Sequence, residues 1–232
     1  MQFDIITIFP EVFPGPLAVG VVGKAIQSGL IRVLSHNLRD HAHDRHRTVD
    51  DSAYGGGPGM VMKPEPVFEC IEALNPSNAM RILLSPQGVR FTQQLAVDLL
   101  GQHQRFILIC GRYEGVDERI RTHASDLDVS IGDYVLAGGE LAAMVMIETM
   151  ARLVPGVVGD QESVETDSLA ENLLKYPQYT RPSVYRGHEV PSILLSGNHE
   201  EIRAWRRSEA IRRTRTQRPD LFACKDPPDN DT

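Results

Sequence analysis

Cysteine and tryptophan are scarce in this chain, three of the first and one of the second, and no CxxC pair occurs. Cys70, Cys110 and Cys224 lie far apart and are odd in number. That argues against a disulfide framework and points to a reducing, cytoplasmic setting. No apolar run nears the roughly 20 residues that cross a bilayer, so no membrane partner is expected. Met1-Gln2-Phe3-Asp4 shows no basic region leading into an apolar stretch, and no secretory leader is expected there. The usual cofactor signatures are missing too. Gly55-Gly56-Gly57-Pro58-Gly59 fails the dinucleotide pattern G-x-G-x-x-G, because the third glycine is absent and Pro58 removes an amide. Gly23-Lys24 is followed by Ala25 rather than Ser or Thr, so there is no P-loop. Neither G-x-S-x-G nor H-E-x-x-H appears. These absences count against nicotinamide oxidoreductases, P-loop NTPases, serine hydrolases and structural zinc proteins.

What is present suits a globular chain. With 232 residues, 41% of them hydrophobic, there is enough apolar material for a core in one large domain or two unequal ones. The formal net charge of −7 discourages a nucleic-acid reading until its distribution is followed. From Arg203 to Arg218 seven arginines face one acid, Glu209. From Gly156 to Lys175 the balance reverses, with Asp160, Glu162, Glu165, Asp167 and Glu171 against one lysine. Only four of the 24 basic residues are lysine, and arginine is the better partner for phosphates and bases. A basic patch on an acidic chain binds anions locally.

Short apolar runs alternate with helical patterns through the first two thirds of the chain. Phe3–Phe9, Ile31–His36, Met80–Leu84, Arg105–Cys110 and Leu127–Ile131 read as strands. Helix candidates lie between them at Val19–Ser28, Pro64–Leu74, Thr92–Leu100 and Asp117–Thr122. Pro64 suits a first turn, Thr92 an N-cap and Gly101 a C-terminal stop. Such alternation predicts an α/β fold with a parallel sheet covered on both faces. Gly139–Leu153 is apolar nearly all round and is expected in the core or in a subunit interface. A polar, acidic stretch follows, so the expected division is an α/β domain over 1–157, a linker over 158–170 and a small all-helical domain over 171–232. Asp167–Leu174 reads as a short helix capped by Asp167. A second helix starts at Asn198, with Glu201 as capping-box partner and Ile202, Trp205 and Ile211 on its apolar side.

The segment Asp40-His-Ala-His-Asp-Arg-His46 invites a metal reading, but its interspersed charges look like a solvated loop, whose functional use is RNA contact. Tyr54-Gly-Gly-Gly-Pro-Gly-Met60 is too rich in glycine for simple packing and reads as a binding loop. Three more loops fall after strand ends: Leu84-Ser-Pro-Gln-Gly88, Cys110-Gly-Arg-Tyr-Glu-Gly115 and Ser130-Ile-Gly-Asp-Tyr-Val-Leu136. Ligands of open α/β sheets bind in that crevice. Arg112 stands there beside two acids, Glu114 and Asp133. Amides, tyrosines and carboxylates suit a neutral-to-cationic adenosyl ligand better than a phosphate.

These residues resemble the bacterial tRNA (guanine-N1)-methyltransferases, the TrmD family of the SPOUT class. The matching segments are Phe3-Asp-Ile-Ile-Thr-Ile-Phe-Pro10, Tyr54–Met60, Leu84–Gly88, Gly111-RYEGVDER119, Ser130-IGDYVLAGGELA142, Pro155-Gly156 and Tyr179-Thr-Arg-Pro182. They run through nearly the whole chain in the family's order. The resemblance implies a parallel sheet with a deep C-terminal trefoil knot, which periodicity could not show. It implies transfer of a methyl group from S-adenosylmethionine to N1 of the guanosine immediately 3′ of the tRNA anticodon. It also implies magnesium dependence, without identifying ligands, and a homodimer whose active sites are shared between subunits.

Carried onto this sequence, the implied cofactor residues are Leu84, Ser85 and Pro86, then Gly111, Tyr113 and Glu114, then Ser130, Ile131, Gly132, Asp133, Tyr134, Val135, Leu136, Gly138 and Gly139. The implied general base is Asp167, donated by the partner subunit, and Arg152 would hold the guanine. Without the family, Asp167 reads as an N-cap and Arg152 as an arginine complementing a helix dipole. Glu114 would act at the methyl or guanine end. Tyr54, Gly55, Gly56, Gly57, Arg181, Arg203, Arg206, Arg207 and Arg212 are the expected tRNA contacts. Lys175 departs from the family, which often has a second acid there, and this leaves Asp167 as the main base candidate. The main rival is another SPOUT-class RNA methyltransferase acting on a different base or on ribose. A non-catalytic RNA-binding module would not explain three pocket loops.

Overall fold

The computed structural model describes residues 1–159, 167–169 and 172–223. It divides into two compact units, Met1–Gly159 and Asp160–Thr232. Most of the expected linker over 158–170, together with Cys224 and the acidic tail, lies outside the described residues.

The first unit is built on β1 (Gln2–Thr7), α1 (Pro14–Leu17), α2 (Gly20–Gln27), β2 (Arg32–Asn37), the two-residue strands β3 (Asp50–Asp51) and β4 (Val61–Met62), and α3 (Pro64–Ala73). It continues through β5 (Met80–Arg90), α4 (Gln93–Gln102), β6 (Arg105–Cys110), α5 (Glu118–His123), β7 (Leu127–Ser130) and α6 (Glu140–Ala151). Five strands form one parallel sheet in the order β2-β1-β6-β5-β7. Alternation along the strands splits the core. Phe3, Ile5, Ile82, Phe106 and Leu108 face α2, α4 and α6 residues such as Val22, Ala96 and Met146. Ile6, Leu83, Ile107 and Ile109 face Val67, Ile71 and Ile120 of α3 and α5. Both faces are covered, which is why the strands read as continuous apolar runs.

Local chemistry sets the helix starts. The Thr92 hydroxyl accepts from the Leu95 amide at 3.1 Å, and the Asp117 carboxylate from the Arg119 amide at 2.9 Å. Pro64 occupies the first turn of α3. Two expectations fail nearby. Gly101 does not stop α4, which runs through it to Gln102 and ends where His103 turns extended (φ −132°, ψ 144°). Leu84–Gly88 is not a loop beyond a strand but lies inside β5. Leu84 and Val89 both pair with Val129, so the residues between them bulge out of the ladder. Pro86 has no amide to give a ladder, and a side chain on Gly88 would collide with the backbone of Asp128 and Val129.

In the second unit, α7 (His199–Gln217) is capped by Asn198, whose side-chain oxygen accepts from the Glu201 amide at 3.4 Å. Ile202, Trp205 and Ile211 are half-buried on it, and the fully buried positions are Ala210 and Thr214. Thr214 is tolerated there because its hydroxyl donates to the Ala210 carbonyl at 2.7 Å and accepts from the Leu174 amide at 2.8 Å. The unit is not all helical. Besides α8 (Asp220–Ala223) it contains a hairpin of β8 (Val184–Tyr185) and β9 (His188–Glu189). Arg186 and Gly187, with φ of 51° and 81°, make its two-residue turn. The short helix expected over 167–174 is not formed by the described residues there. Leu169 and Asn172 have φ of 73° and 57°, which a helix does not accept.

Candidate active site

The strand order places β6, β5 and β7 side by side, so the segments that follow β6 and β7 and the bulge within β5 come to one place. Around them lies a cleft of about 270 Å³. Every expected cofactor residue lines it except Asp133. That side chain is 87% exposed and its carboxylate pairs with Arg90 at 2.8 Å, because the turn after Gly132 throws it outward.

Glycine is required where the segments cross. A Cβ on Gly138 would fall inside the Arg112 side chain, and one on Gly139 would lie 2.7 Å from the Cys110 Cα. Arg112 is clamped. Its Nε and Nη2 lie 3.0 and 2.9 Å from the Glu140 Oε2, while Thr7 Oγ1 donates to Oε1 at 2.8 Å. The Arg112 guanidinium also sits 4.6 Å over the Phe9 ring. Glu140 is 2% exposed, so this carboxylate is buried with its partners in place. The other arginine of the cleft, Arg121, pairs with Asp128 and lies 3.3 Å from Glu118. Both arginines are thus matched by carboxylates. Glu114 is exposed at the cleft wall and has no ion-pair partner among the described residues.

The loop at 54–60 packs on Glu114. The Glu114 amide donates to the Met60 carbonyl at 3.0 Å, and a side chain on Gly59 would run into the Glu114 carboxylate. Gly55, Gly56 and Gly57 have φ of 84°, 77° and 125°, conformations that disfavour any other residue. Tyr54 is fully exposed. Tyr113 is held at φ 61° with its hydroxyl between Asp50 and Arg39; burial, then the Asp50 carboxylate, pushes its pKa up.

Arg152 is half-buried just past the end of α6, its amide 3.5 Å from the Glu148 carbonyl. Asp167 belongs to the second unit. Its Oδ1 accepts from the Ser168 amide at 3.0 Å and lies 3.7 Å from Lys175 Nζ. The departure noted at Lys175 therefore has a structural counterpart, an ion pair with the candidate base. Arg181, Arg203, Arg206 and Arg207 are exposed. Arg212 is exposed too but is engaged by Glu209 at 2.6 Å. His43 of the histidine-rich segment meets Glu69 at 2.7 Å. No three of His, Cys, Asp and Glu cluster as metal ligands among the described residues. No helix is long and apolar enough to cross a membrane there either.

Sequence reasoning missed Thr7, Phe9, Arg39, Asp50 and Glu140. A signal existed for two of them: Thr7 is a polar residue inside an apolar strand, and Glu140 opens an apolar helix. Each needed a buried partner, but sequence distance concealed that they are each other's.

The tRNA (guanine-1)-methyltransferase family TrmD matches residues 1–224. A tRNA (guanine-N(1)-)-methyltransferase of Dehalococcoides mccartyi is 52% identical over 225 residues, 96% of this chain and 90% of its own. The proteins of that name from Geobacter sulfurreducens and Citrifermentans bemidjiense are 53% and 54% identical over 224 and 225 residues, again 96% of this chain and 91% and 90% of theirs. With both the whole-length match and the relatives in agreement, the chain belongs to the tRNA (guanine-1)-methyltransferase family.

Proposed function

We propose that this chain transfers the methyl group of S-adenosylmethionine to N1 of the guanosine immediately 3′ of the tRNA anticodon. The observation that carries the reading is the charge balance of the cleft, where both arginines are neutralised and Glu114 is not. A sulfonium with an α-ammonium group suits such a wall, and a pyrophosphate does not. Gly138 and Gly139 let their segment close against Arg112 and Cys110 of the β6 segment, which fixes one wall of the cleft. When bound, the donor supplies an electrophilic methyl group.

The chain's own residues do the rest. Guanine N1 carries a proton that must leave, and Asp167 accepts it as general base. In this reading Asp167 comes from the partner subunit of a homodimer. The exposed apolar residues Leu141 and Val145 on α6, 56% and 43% accessible, support such an interface. Arg152 orients the guanine and counters charge developing on O6. Glu114, on the cleft wall, would hold the donor's cationic end. A trefoil knot and magnesium dependence belong to the same reading and rest on family membership; no magnesium ligands are assigned. Buried free thiols at Cys70 and Cys110 fit a cytoplasmic setting.

The test is incubation with labelled S-adenosylmethionine and an unmodified tRNA transcript, followed by identification of the methylated nucleoside. 1-Methylguanosine is expected, and a ribose-methylated or other base product would transfer the assignment to another knotted RNA methyltransferase. Asp167→Ala should lower transfer by about 10²–10⁴-fold with cofactor affinity retained. Near-normal turnover in that variant would remove Asp167 from the mechanism.

A further inference from the structure

The second unit contains a cleft of about 750 Å³ that shares no lining residue with the candidate site of the first unit. Its walls include Tyr176, Gln178, Tyr179, Thr180, Arg181 and Arg206, over an apolar floor that includes Leu194 and Ile202. In a chain of net charge −7, this lining holds two arginines and no carboxylate among the described residues. A cationic ligand is disfavoured there, and an anionic or electron-rich one is favoured. The aromatic walls narrow the choice. The Arg206 guanidinium lies 4.9 Å over the Tyr176 ring, so an arginine–tyrosine stack is already assembled. Tyr179 is half exposed at 50%. Arg181 is exposed and has no ion-pair partner among the described residues. Gln178 and Thr180 offer donors and acceptors beside these planes.

A site for phosphate alone would need no aromatic planes, and an apolar peptide would need no free arginine. Planar rings, guanidinium planes and an amide in a cleft of ligand size are what single-stranded RNA meets when a base leaves its stack. We propose that this cleft receives an unstacked base of the RNA substrate against its tyrosines, with Arg181 taking an adjoining phosphate. The inference rests on the RNA reading above but concerns a second nucleotide. With no carboxylate among the described residues of its lining, the cleft offers no group there to take the N1 proton of a methyl-accepting guanine.

The experiment uses the full chain and tRNA transcripts carrying 2-aminopurine at single purine positions of their unpaired loops. The expected result is quenching at a loop position on binding. Tyr179→Ala should relieve the quenching and weaken tRNA binding roughly ten-fold, whereas Tyr179→Phe keeps both. S-Adenosylmethionine affinity, read in parallel, should stay at the wild-type value in both variants. Wild-type binding and quenching in Tyr179→Ala would overturn the proposal. So would a drop in melting temperature with tRNA affinity unchanged, the mark of a cleft filled by the protein's own chain. A wild-type protein that methylates no tRNA would instead defeat the RNA reading itself, and the two failures are told apart by that single activity control.

Discussion

The residue that ties the candidate cleft together is Glu140, at the first position of α6. It is buried and accepts hydrogen bonds from β1 through Thr7 and from the β6 segment through Arg112. A buried carboxylate with both oxygens engaged holds its donors in one arrangement, and loss of either partner leaves the other desolvated and unmatched. Glu140→Gln keeps the shape and removes the charge opposite the Arg112 guanidinium. The expected cost is about 2–3 kcal/mol of stability, read from urea unfolding. The KM for S-adenosylmethionine should rise more than kcat falls. Unchanged stability and KM would show that Arg112 needs no counter-charge. The glycines beside this clamp were legible as a place of close approach. What they approach was not, because Gly138 meets Arg112 through an antiparallel bridge that no local pattern encodes.

Among the elements, the strands and most helices follow from apolar periodicity and caps, and their interiors match expectation. The mismatches have two causes: a tertiary neighbour overrides a local signal, or the local signal is too weak to act. β5 runs on past Leu84 because β7 offers a second pairing at Val129 after the bulge. α4 continues through Gly101, since exposed glycine costs a helix only about 1 kcal/mol. The start of the sheet supplies the pH dependence. Asp4 on β1 is 1% exposed; burial pushes its pKa up, but hydrogen bonds from His36 at 2.9 Å, Arg105 at 2.9 Å and Gln2 at 2.8 Å outweigh this and hold it below the usual 3.8. A carboxyl held lower in the folded chain stabilises it fully above the unfolded value and loses that contribution as pH falls through the folded one. Asp4→Asn should therefore be less stable at neutral pH and lose less stability on acidification below about pH 4, measured by denaturant midpoints across that range. Parallel acid profiles for the two proteins would assign the acid sensitivity elsewhere.

At the scale of the molecule, positive charge is concentrated on one helix of an acidic chain. An overall charge of −7 coexists with an α7 whose exposed face carries Arg203, Arg206, Arg207, Arg212 and Arg215. Binding of a polyanion through such a face releases counterions and is steeply salt-dependent. The double variant Arg203→Glu, Arg207→Glu should bind tRNA at least ten-fold more weakly. Its slope of log affinity against log salt should be shallower by about 1–2. S-Adenosylmethionine affinity, which the proposed reading assigns to the first unit, should not change. An unaltered slope would reduce these arginines to solvated surface.

The sequence by itself determined the α/β class, the family, the three cleft segments and the basic helix, because each is written in periodicity, spacing or an uninterrupted motif. Only the tertiary structure decided the strand order that brings β6, β5 and β7 together, the outward turn of Asp133, the Lys175–Asp167 pair and the Glu140 clamp. Those depend on which residues distant in the chain become neighbours. That choice is made by burial of both sheet faces and by pairing of the polar groups trapped beneath them, and neither acts along the chain.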